Sequence, residues 1–136
     1  MKKIVLFLIV ITSFLSCSLD DDGPTYTYSV LPVDSYVVPA SFTLGQTYPI
    51  KLKYQKPTAC HIYQGIYYEK NLNTRTIAIQ TAVQNNQVCT QEVPPISEVS
   101  FNFIASNTGS YIFKCYKGED AAGQDIFEEV EIPVVP

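Results

Sequence analysis

The sequence predicts an all-β domain built from short antiparallel strands, extending from about Tyr26 to Val135. Pro, Gly or Asn interrupts this region roughly every eight to twelve residues, as is typical of strands joined by tight turns. The intervening segments are rich in Val, Ile, Thr, Tyr and Phe, which favour strands, and none has a helical period long enough to compete. The chain has 136 residues, a length that suits one domain with one core.

Four strands are predicted in the first half of this domain, at 35–38, 41–44, 50–55 and 61–69. Pro39 separates the first two, which places them at a sheet edge or at a switch between sheets. In the third, apolar and polar residues alternate, so one face is expected to be buried. The apolar residues are Ile50, Leu52 and Tyr54.

Four more strands are predicted at 75–83, 99–103, 111–116 and 126–134, the first of them joined to its predecessor by a hairpin at 71–74. The segment 88–96 is expected to be mostly irregular because it contains Pro94 and Pro95. Glu128 and Glu129 interrupt the alternation in the last strand, so we predict a β-bulge there. Apolar periodicity places five residues in the core, namely Phe101, Phe103, Tyr111, Phe113 and Cys115.

The segment 108–113 resembles the penultimate strand of immunoglobulin-like sandwiches, in which a Gly followed two residues later by a Tyr forms a tyrosine corner. Gly109 and Tyr111 carry this resemblance, which implies an immunoglobulin-like antiparallel β-sandwich of seven or eight strands. Phe113 stands where an antibody domain has its second cysteine, and the chain has no Trp. The resemblance is therefore to bacterial immunoglobulin-like modules that lack the inter-sheet disulfide, and such a fold does not specify a function.

The first 16 residues have the pattern of a secretory signal peptide. Lys2 and Lys3 precede an apolar segment, 4–15, whose length of about 18 Å as a helix is too short to span a bilayer. Ser16 and Cys17 end this segment and resemble the lipobox of Bacteroidota lipoproteins. Cleavage by ordinary signal peptidase, which would leave a soluble secreted protein, is the alternative.

The lipoprotein resemblance implies that the thiol of Cys17 carries a lipid that holds the protein to the membrane. Ser18 resembles the residue that directs lipoproteins to the outer membrane, and the acidic run 20–22 resembles the tether of surface lipoproteins. We therefore expect a signal peptide at 1–16, a lipidated and flexible tether at 17–25 and the sandwich at 26–136. Exposure on the cell surface and orientation toward the periplasm are two open alternatives.

The charge of the mature chain argues against a nucleic-acid partner. The full chain has nine Lys plus Arg and thirteen Asp plus Glu, and loss of Lys2 and Lys3 leaves seven against thirteen, a formal charge of −6. Neutralising phosphates requires a basic stripe, and the sequence has none.

Three cysteines follow Cys17, and export to an oxidising compartment would allow two of them to form a disulfide. Cys60 and Cys89 lie just outside predicted strands, whereas Cys115 shares a predicted face with core residues. We therefore predict a Cys60–Cys89 disulfide and a buried Cys115 thiol. A Cys60–Cys115 bridge and a metal site made by Cys60, His61 and Cys89 are the alternatives.

The sequence gives little support for a catalytic function. His61 is its single histidine, and neighbouring carboxylates such as Glu128 and Glu129 face opposite ways on a strand. No phosphate loop, nucleophile elbow or metalloprotease motif is present. We predict that the protein is not an enzyme and requires no metal or cofactor.

Tyrosines are the best candidates for a binding surface, because each offers stacking area with a polar tip. Tyr63, Tyr67 and Tyr68 in one strand and Tyr116 in another could form an exposed platform, although tyrosines are also common as core residues in strands. The sequence therefore leaves two candidate functions. The domain is either a binding or adhesion module for a glycan or an envelope protein, or a structural accessory subunit of an envelope complex without a small-molecule ligand.

Overall fold

The computed structural model describes residues 23–136, and within them the chain forms strands and no helix. Two sheets pack face to face, so the predicted all-β sandwich is confirmed. The strands of this region are β1 (Tyr26–Leu31), β2 (Ser35–Val37), β3 (Phe42–Thr43), β4 (Thr47–Tyr54), β5 (Ile62–Asn71), β6 (Thr74–Gln84), β7 (Ser97–Ile104), β8 (Gly109–Glu119) and β9 (Asp125–Val135).

The smaller sheet has the order β2-β4-β7 and is fully antiparallel. In the larger sheet, β6 pairs with β5 along one edge. Along its other edge, residues 74–77 pair with β8 and residues 79–84 pair with β1. β9 then pairs with β8, and the short strand β3 completes the sheet. Two pairs in this sheet, β6–β8 and β3–β9, are parallel, unlike the rest of the sandwich.

The core lies between the sheets and follows the predicted alternation. Ile50, Leu52 and Tyr54 are buried on the inner face of β4. Phe42 packs among the rings of Phe103 and other core aromatics, with centroid distances of 4.8–6.2 Å. The predicted core residues on β7 and β8 are buried as well, except that Phe101 is only half-buried.

The predicted tyrosine corner is present. The Tyr111 hydroxyl accepts hydrogen bonds from the backbone N–H groups of Ser106 and Asn107, at 3.1 and 3.0 Å. The strand order differs from that of an immunoglobulin domain. There, the strand with which the chain first crosses from one sheet to the other (strand C) lies beside the penultimate strand (F), which carries the tyrosine corner. Here the chain crosses from β4 to β5, but β5 lies at the sheet edge, and β6 is the strand beside the penultimate strand β8.

Nine strands in the described region exceed the predicted seven or eight, because β1 was not expected. Tyr26, Tyr28 and Val30 are exposed, whereas Thr27 and Ser29 alternate with them on the other face, where the Ser29 hydroxyl lies 3.0 Å from that of the buried Thr81. Leu31, at the end of the strand, is its one buried apolar residue. Over residues 26–30 this inverts the usual pattern of apolar residues inside, on which strand prediction depends.

The predicted bulge at Glu128 and Glu129 was placed on the wrong strand. Both residues pair regularly with β8, and the register shifts on β8 itself, between Tyr116 and Gly118. Gly118 has a φ of 110°, a conformation that glycine adopts without steric cost, so the extra residue is accommodated there.

The cysteines pair as predicted. Cys60 and Cys89 form a disulfide with a Cα–Cα distance of 5.9 Å, and Cys115 is a buried free thiol. The alternative Cys60–Cys115 bridge is therefore wrong. The alternative metal site is also wrong, because two of its three ligands are sulfur atoms bonded to each other. Cys17 and the acidic run 20–22 lie outside the described residues.

Candidate ligand-binding groove

The four tyrosines of the predicted platform divide between the two faces of the larger sheet. Side chains alternate along β5, so the neighbours Tyr67 and Tyr68 point to opposite faces. The register shift between Tyr63 and Gly65 places Tyr63 on the same inner face as Tyr68. Tyr67 alone among the three β5 tyrosines faces outward.

The two inward tyrosines pack against the opposite sheet. The Tyr63 ring lies 6.2 Å from that of the buried Tyr54, and the Tyr68 ring lies 5.4 Å from that of Phe101. Burial raises the pKa of the Tyr68 hydroxyl, against the opposing effect of Arg75. The structure therefore does not bring Tyr63 and Tyr68 to the outer surface on which Tyr67 lies.

Tyr67 and Tyr116 do share one surface. Ile77 on β6 is paired with Cys115 on β8, and both are buried in the core, so the residues that follow them, Ala78 and Tyr116, face outward. Tyr67 is the partner of Ala78 on the other side of β6. The small Ala78 thus lies between two tyrosines from different strands.

A groove of about 660 Å³ forms over this small residue. Tyr28 and Phe127 complete its aromatic walls, and the Phe127 ring lies 5.8 Å from that of Tyr116 in an edge-on arrangement. Tyr28 is 71% exposed and Tyr67 38% exposed, so large parts of both rings are open to a ligand. Sequence reasoning missed Tyr28, Ala78 and Phe127, because only the pairing of strands distant in sequence brings them together.

Carboxylates supply the charge of the groove. Glu69, Glu119 and Asp125 line it, and no Lys or Arg of residues 23–136 does. The Tyr67 hydroxyl donates a hydrogen bond to Glu69 at 2.9 Å. The groove can therefore accept hydrogen bonds from a ligand at several points, and it disfavours an anion.

The pKa values of two tyrosine hydroxyls of the groove, those of Tyr67 and Tyr116, are raised. The hydrogen bond to Glu69 raises the pKa of Tyr67. Burial raises the pKa of Tyr116, and the carboxylates of Glu119 and Asp125 raise it further. The Tyr116 hydroxyl can therefore donate as well as accept, whereas the Tyr67 hydroxyl already donates its one hydrogen to Glu69 and can accept from a ligand.

Charged groups next to the groove are already paired. Lys114 lies 4.5 Å from the centroid of the Phe127 ring and 3.6 Å from the Glu129 carboxylate. Glu128 faces the other side of the strand and contacts Tyr36 and Lys117. The two neighbouring glutamates are thus held apart, and neither lines the groove.

The single histidine is also held away from the groove. His61 Nδ1 lies 3.0 Å from the Thr58 hydroxyl, in the loop before β5. In the region from residue 23 onward, no three His, Cys, Asp or Glu side chains lie close enough to hold a metal ion.

Residues 23–136 contain no helix long and apolar enough to cross a membrane. Comparisons of the chain with protein-family models, with curated proteins and with solved structures found no match.

Proposed function

We propose that this protein is a non-catalytic binding module of the cell envelope, and that the outer-face groove binds a neutral glycan. The observation that carries the proposal is the group of aromatic rings around Ala78, two exposed and two half-buried, with carboxylates beside them. Ligand sites commonly combine apolar and aromatic walls with a few polar groups that fix orientation.

The chemistry of the groove suits a sugar chain. A tyrosine ring can cover the apolar face of a pyranose, and its hydroxyl can hydrogen-bond at the edge. Glu69, Glu119 and Asp125 can accept hydrogen bonds from sugar hydroxyls. The same carboxylates would repel uronic acids, sulfated sugars and phosphates, so we expect a neutral glycan.

The proposed location follows from the N-terminal sequence. A lipid on Cys17 would anchor the chain in the outer membrane, with residues 18–25 as the tether before β1 begins at Tyr26. Fully extended, these eight residues span about 27 Å at roughly 3.4 Å each. The domain would then remain close to the membrane surface, facing either the cell exterior or the periplasm.

An accessory subunit of an envelope complex is the second candidate, and the edge of the larger sheet favours it. β5 has ten residues, and its outer edge pairs with no other strand of residues 23–136. A long open edge can pair with a strand of another protein. In that case the partner would bind along β5, with no requirement for the aromatic groove.

Affinity electrophoresis of residues 24–136 tests the glycan proposal. Native gels would contain a neutral glucan, mannan or xylan, or the acidic polygalacturonate. We expect at least one neutral polysaccharide to retard the protein and polygalacturonate not to do so. Tyr67→Ala and Tyr116→Ala should weaken the retardation, because each removes a ring that contributes about 1 kcal/mol or more of stacking.

Tyr26→Ala is the matched control. Tyr26 is 39% exposed, nearly the same as Tyr67 at 38%, and it lies on β1 but does not line the groove. Its removal should leave the retardation unchanged. Retardation by polygalacturonate alone, or equal loss in the Tyr26 and Tyr67 variants, would contradict the proposal. If none of the polysaccharides retards the protein, the accessory-subunit candidate is favoured instead.

A further inference from the structure

A second cavity, of about 570 Å³, opens between the two sheets and has the opposite charge to the groove. Its apolar lining includes Tyr68, Phe101 and Phe103, and its charged lining consists of Lys70 and Arg75. No carboxylate of residues 23–136 lines it. In a mature chain with a formal charge of −6, this cluster of positive charge is a local exception.

Arg75 is buried, with only 6% of its surface exposed. Its Nη1 donates to the carbonyl oxygens of Leu72 and Thr74, both at 2.8 Å, and the guanidinium carbon lies 4.9 Å from the centroid of the Tyr111 ring. These contacts support the β5–β6 hairpin, and their hydrogen bonds both come from one nitrogen of the side chain, Nη1.

The Nε of Arg75 makes none of these hydrogen bonds. It is buried and has no hydrogen-bond partner among the described residues. No carboxylate of residues 23–136 forms an ion pair with the guanidinium, since the salt bridges of this region all involve lysines. Buried charges are normally paired, and an unpaired buried donor is costly.

Lys70 adds a second positive charge at the same place. It lies directly opposite Arg75 in the β5–β6 register, where like charges destabilise a strand pair. Its amino group lies 5.8 Å from the centroid of the Tyr68 ring, at the mouth of the cavity. A bound anion would offset the repulsion between these two cations and supply an acceptor for Nε.

We propose that this inter-sheet cavity binds a small carboxylate with a flat apolar body. Arg75 and Lys70 bind the carboxylate, since a guanidinium offers charge-assisted hydrogen bonds to its oxygens. Tyr68 and Phe101 contact the apolar body. The site is separate from the outer-face groove and does not depend on the function proposed for it.

Nuclear magnetic resonance (NMR) titration of ¹⁵N-labelled residues 24–136 tests this site, with benzoate as the probe and benzamide as its uncharged counterpart of the same shape. We expect benzoate to shift the Arg75 Nε–Hε resonance and the backbone amides of β5 and β7 in a saturable way. Benzamide should cause much smaller shifts, because it lacks the charge. Equal shifts from the two compounds, or no saturable shift from benzoate, would overturn the proposal.

Three variants test which side chains bind the probe. Arg75→Gln should weaken benzoate binding roughly tenfold or more, the loss expected on removal of a charge-assisted hydrogen bond. Lys70→Gln removes an exposed charge, so we expect a weakening of roughly two- to fivefold. Lys51→Gln removes an exposed lysine of the other sheet and should have no effect.

Because Arg75 also supports the hairpin, its variant could fail to fold. Lys70→Gln and the comparison of benzoate with benzamide then decide the question. Equal benzoate affinity in the Lys70→Gln and Lys51→Gln variants would contradict the site.

Discussion

The hydroxyl of Tyr111 holds the turn before β8 by accepting the N–H groups of Ser106 and Asn107. Burial raises the pKa of this hydroxyl, but the hydrogen bonds from Ser106 and Asn107 and the charge of Arg75 outweigh that effect and lower the pKa overall. The same ring packs edge-on against Phe103 in the core. One residue thus joins the turn to the centre of the sandwich.

Tyr111→Phe removes only the hydroxyl and should lower the free energy of unfolding by about 1 kcal/mol, because the two part-buried hydrogen bonds from the backbone N–H groups lose their acceptor. Urea denaturation measures the change. Tyr28→Phe is the control, since its side chain is 71% exposed and its hydroxyl has no hydrogen bond in the described structure. Equal stability of the two variants would show that the tyrosine corner contributes nothing.

At the scale of single elements, the β5–β6 hairpin is closed at both ends. A turn with Leu72 at a φ of 52° joins the strands at one end, and the Cys60–Cys89 disulfide joins the chain at the other. Both main cavities take residues from this hairpin. Its stability therefore affects both proposed sites.

Loss of this disulfide should lower the free energy of unfolding substantially. For a sequence separation of 29 residues, replacing both Cys60 and Cys89 by Ser should lower the free energy of unfolding by roughly 3.5 kcal/mol in the chain-entropy model. Denaturation with and without dithiothreitol is the measurement. The reductant should destabilise the wild-type protein and leave the double variant unchanged. A wild-type midpoint that does not respond to the reductant would refute the prediction.

A polar contact between β2 and β9 links the two sheets. The Tyr36 hydroxyl donates to Glu128 at 2.9 Å, and Lys117 lies 3.2 Å from the same carboxylate. These two contacts lower the pKa of Glu128. Burial, together with the hydrogen bond to Glu128, raises the pKa of Tyr36 to about 12.

The pH dependence of stability should report this link. Because the folded state lowers the pKa of Glu128, the contact stabilises the protein above the unfolded value of about 4.3 and is lost as pH falls through the folded pKa. Glu128→Gln should therefore lose less stability than wild type between about pH 5 and pH 3. Glu92→Gln, in an exposed loop, should behave like wild type in the same urea titrations. Identical acid profiles for all three proteins would contradict the assignment.

At the scale of the whole molecule, the alternation of apolar and polar residues was sufficient to predict the inner face of β4. Ile50, Leu52 and Tyr54 are buried as expected because the period of two is a local property of a strand. On β5, which has tyrosines on both faces, alternation does not tell which face is covered by the other sheet. Alternation places the neighbours Tyr67 and Tyr68 on opposite faces, but only the structure shows that Tyr68 is the one that packs against the other sheet.

Long-range pairing decided the rest of the candidate site. Tyr28 and Phe127 reach the groove only because β1 and β8 share an edge of β6, and β9 follows β8. That arrangement includes a parallel pair that no turn or local pattern specifies. The Arg75 cavity was missed for the same reason, since its lining comes from both sheets.

The proposed sites differ in their chemistry as well as their position. The outer groove combines aromatic rings with carboxylates, whereas the inter-sheet cavity combines aromatic rings with Arg75 and Lys70. A neutral sugar and a carboxylate would therefore bind at different places on the same domain.

The groove is tested most directly by NMR of the ten tyrosine rings, labelled with ¹³C, during titration with soluble neutral hexasaccharides of glucan, mannan and xylan. We expect one of these sugars to shift the ring signals of Tyr28, Tyr67 and Tyr116 and to leave those of Tyr26 and the buried Tyr54 and Tyr111 unchanged. Groove signals that respond to none of the sugars, or no more strongly than Tyr26, would contradict the account.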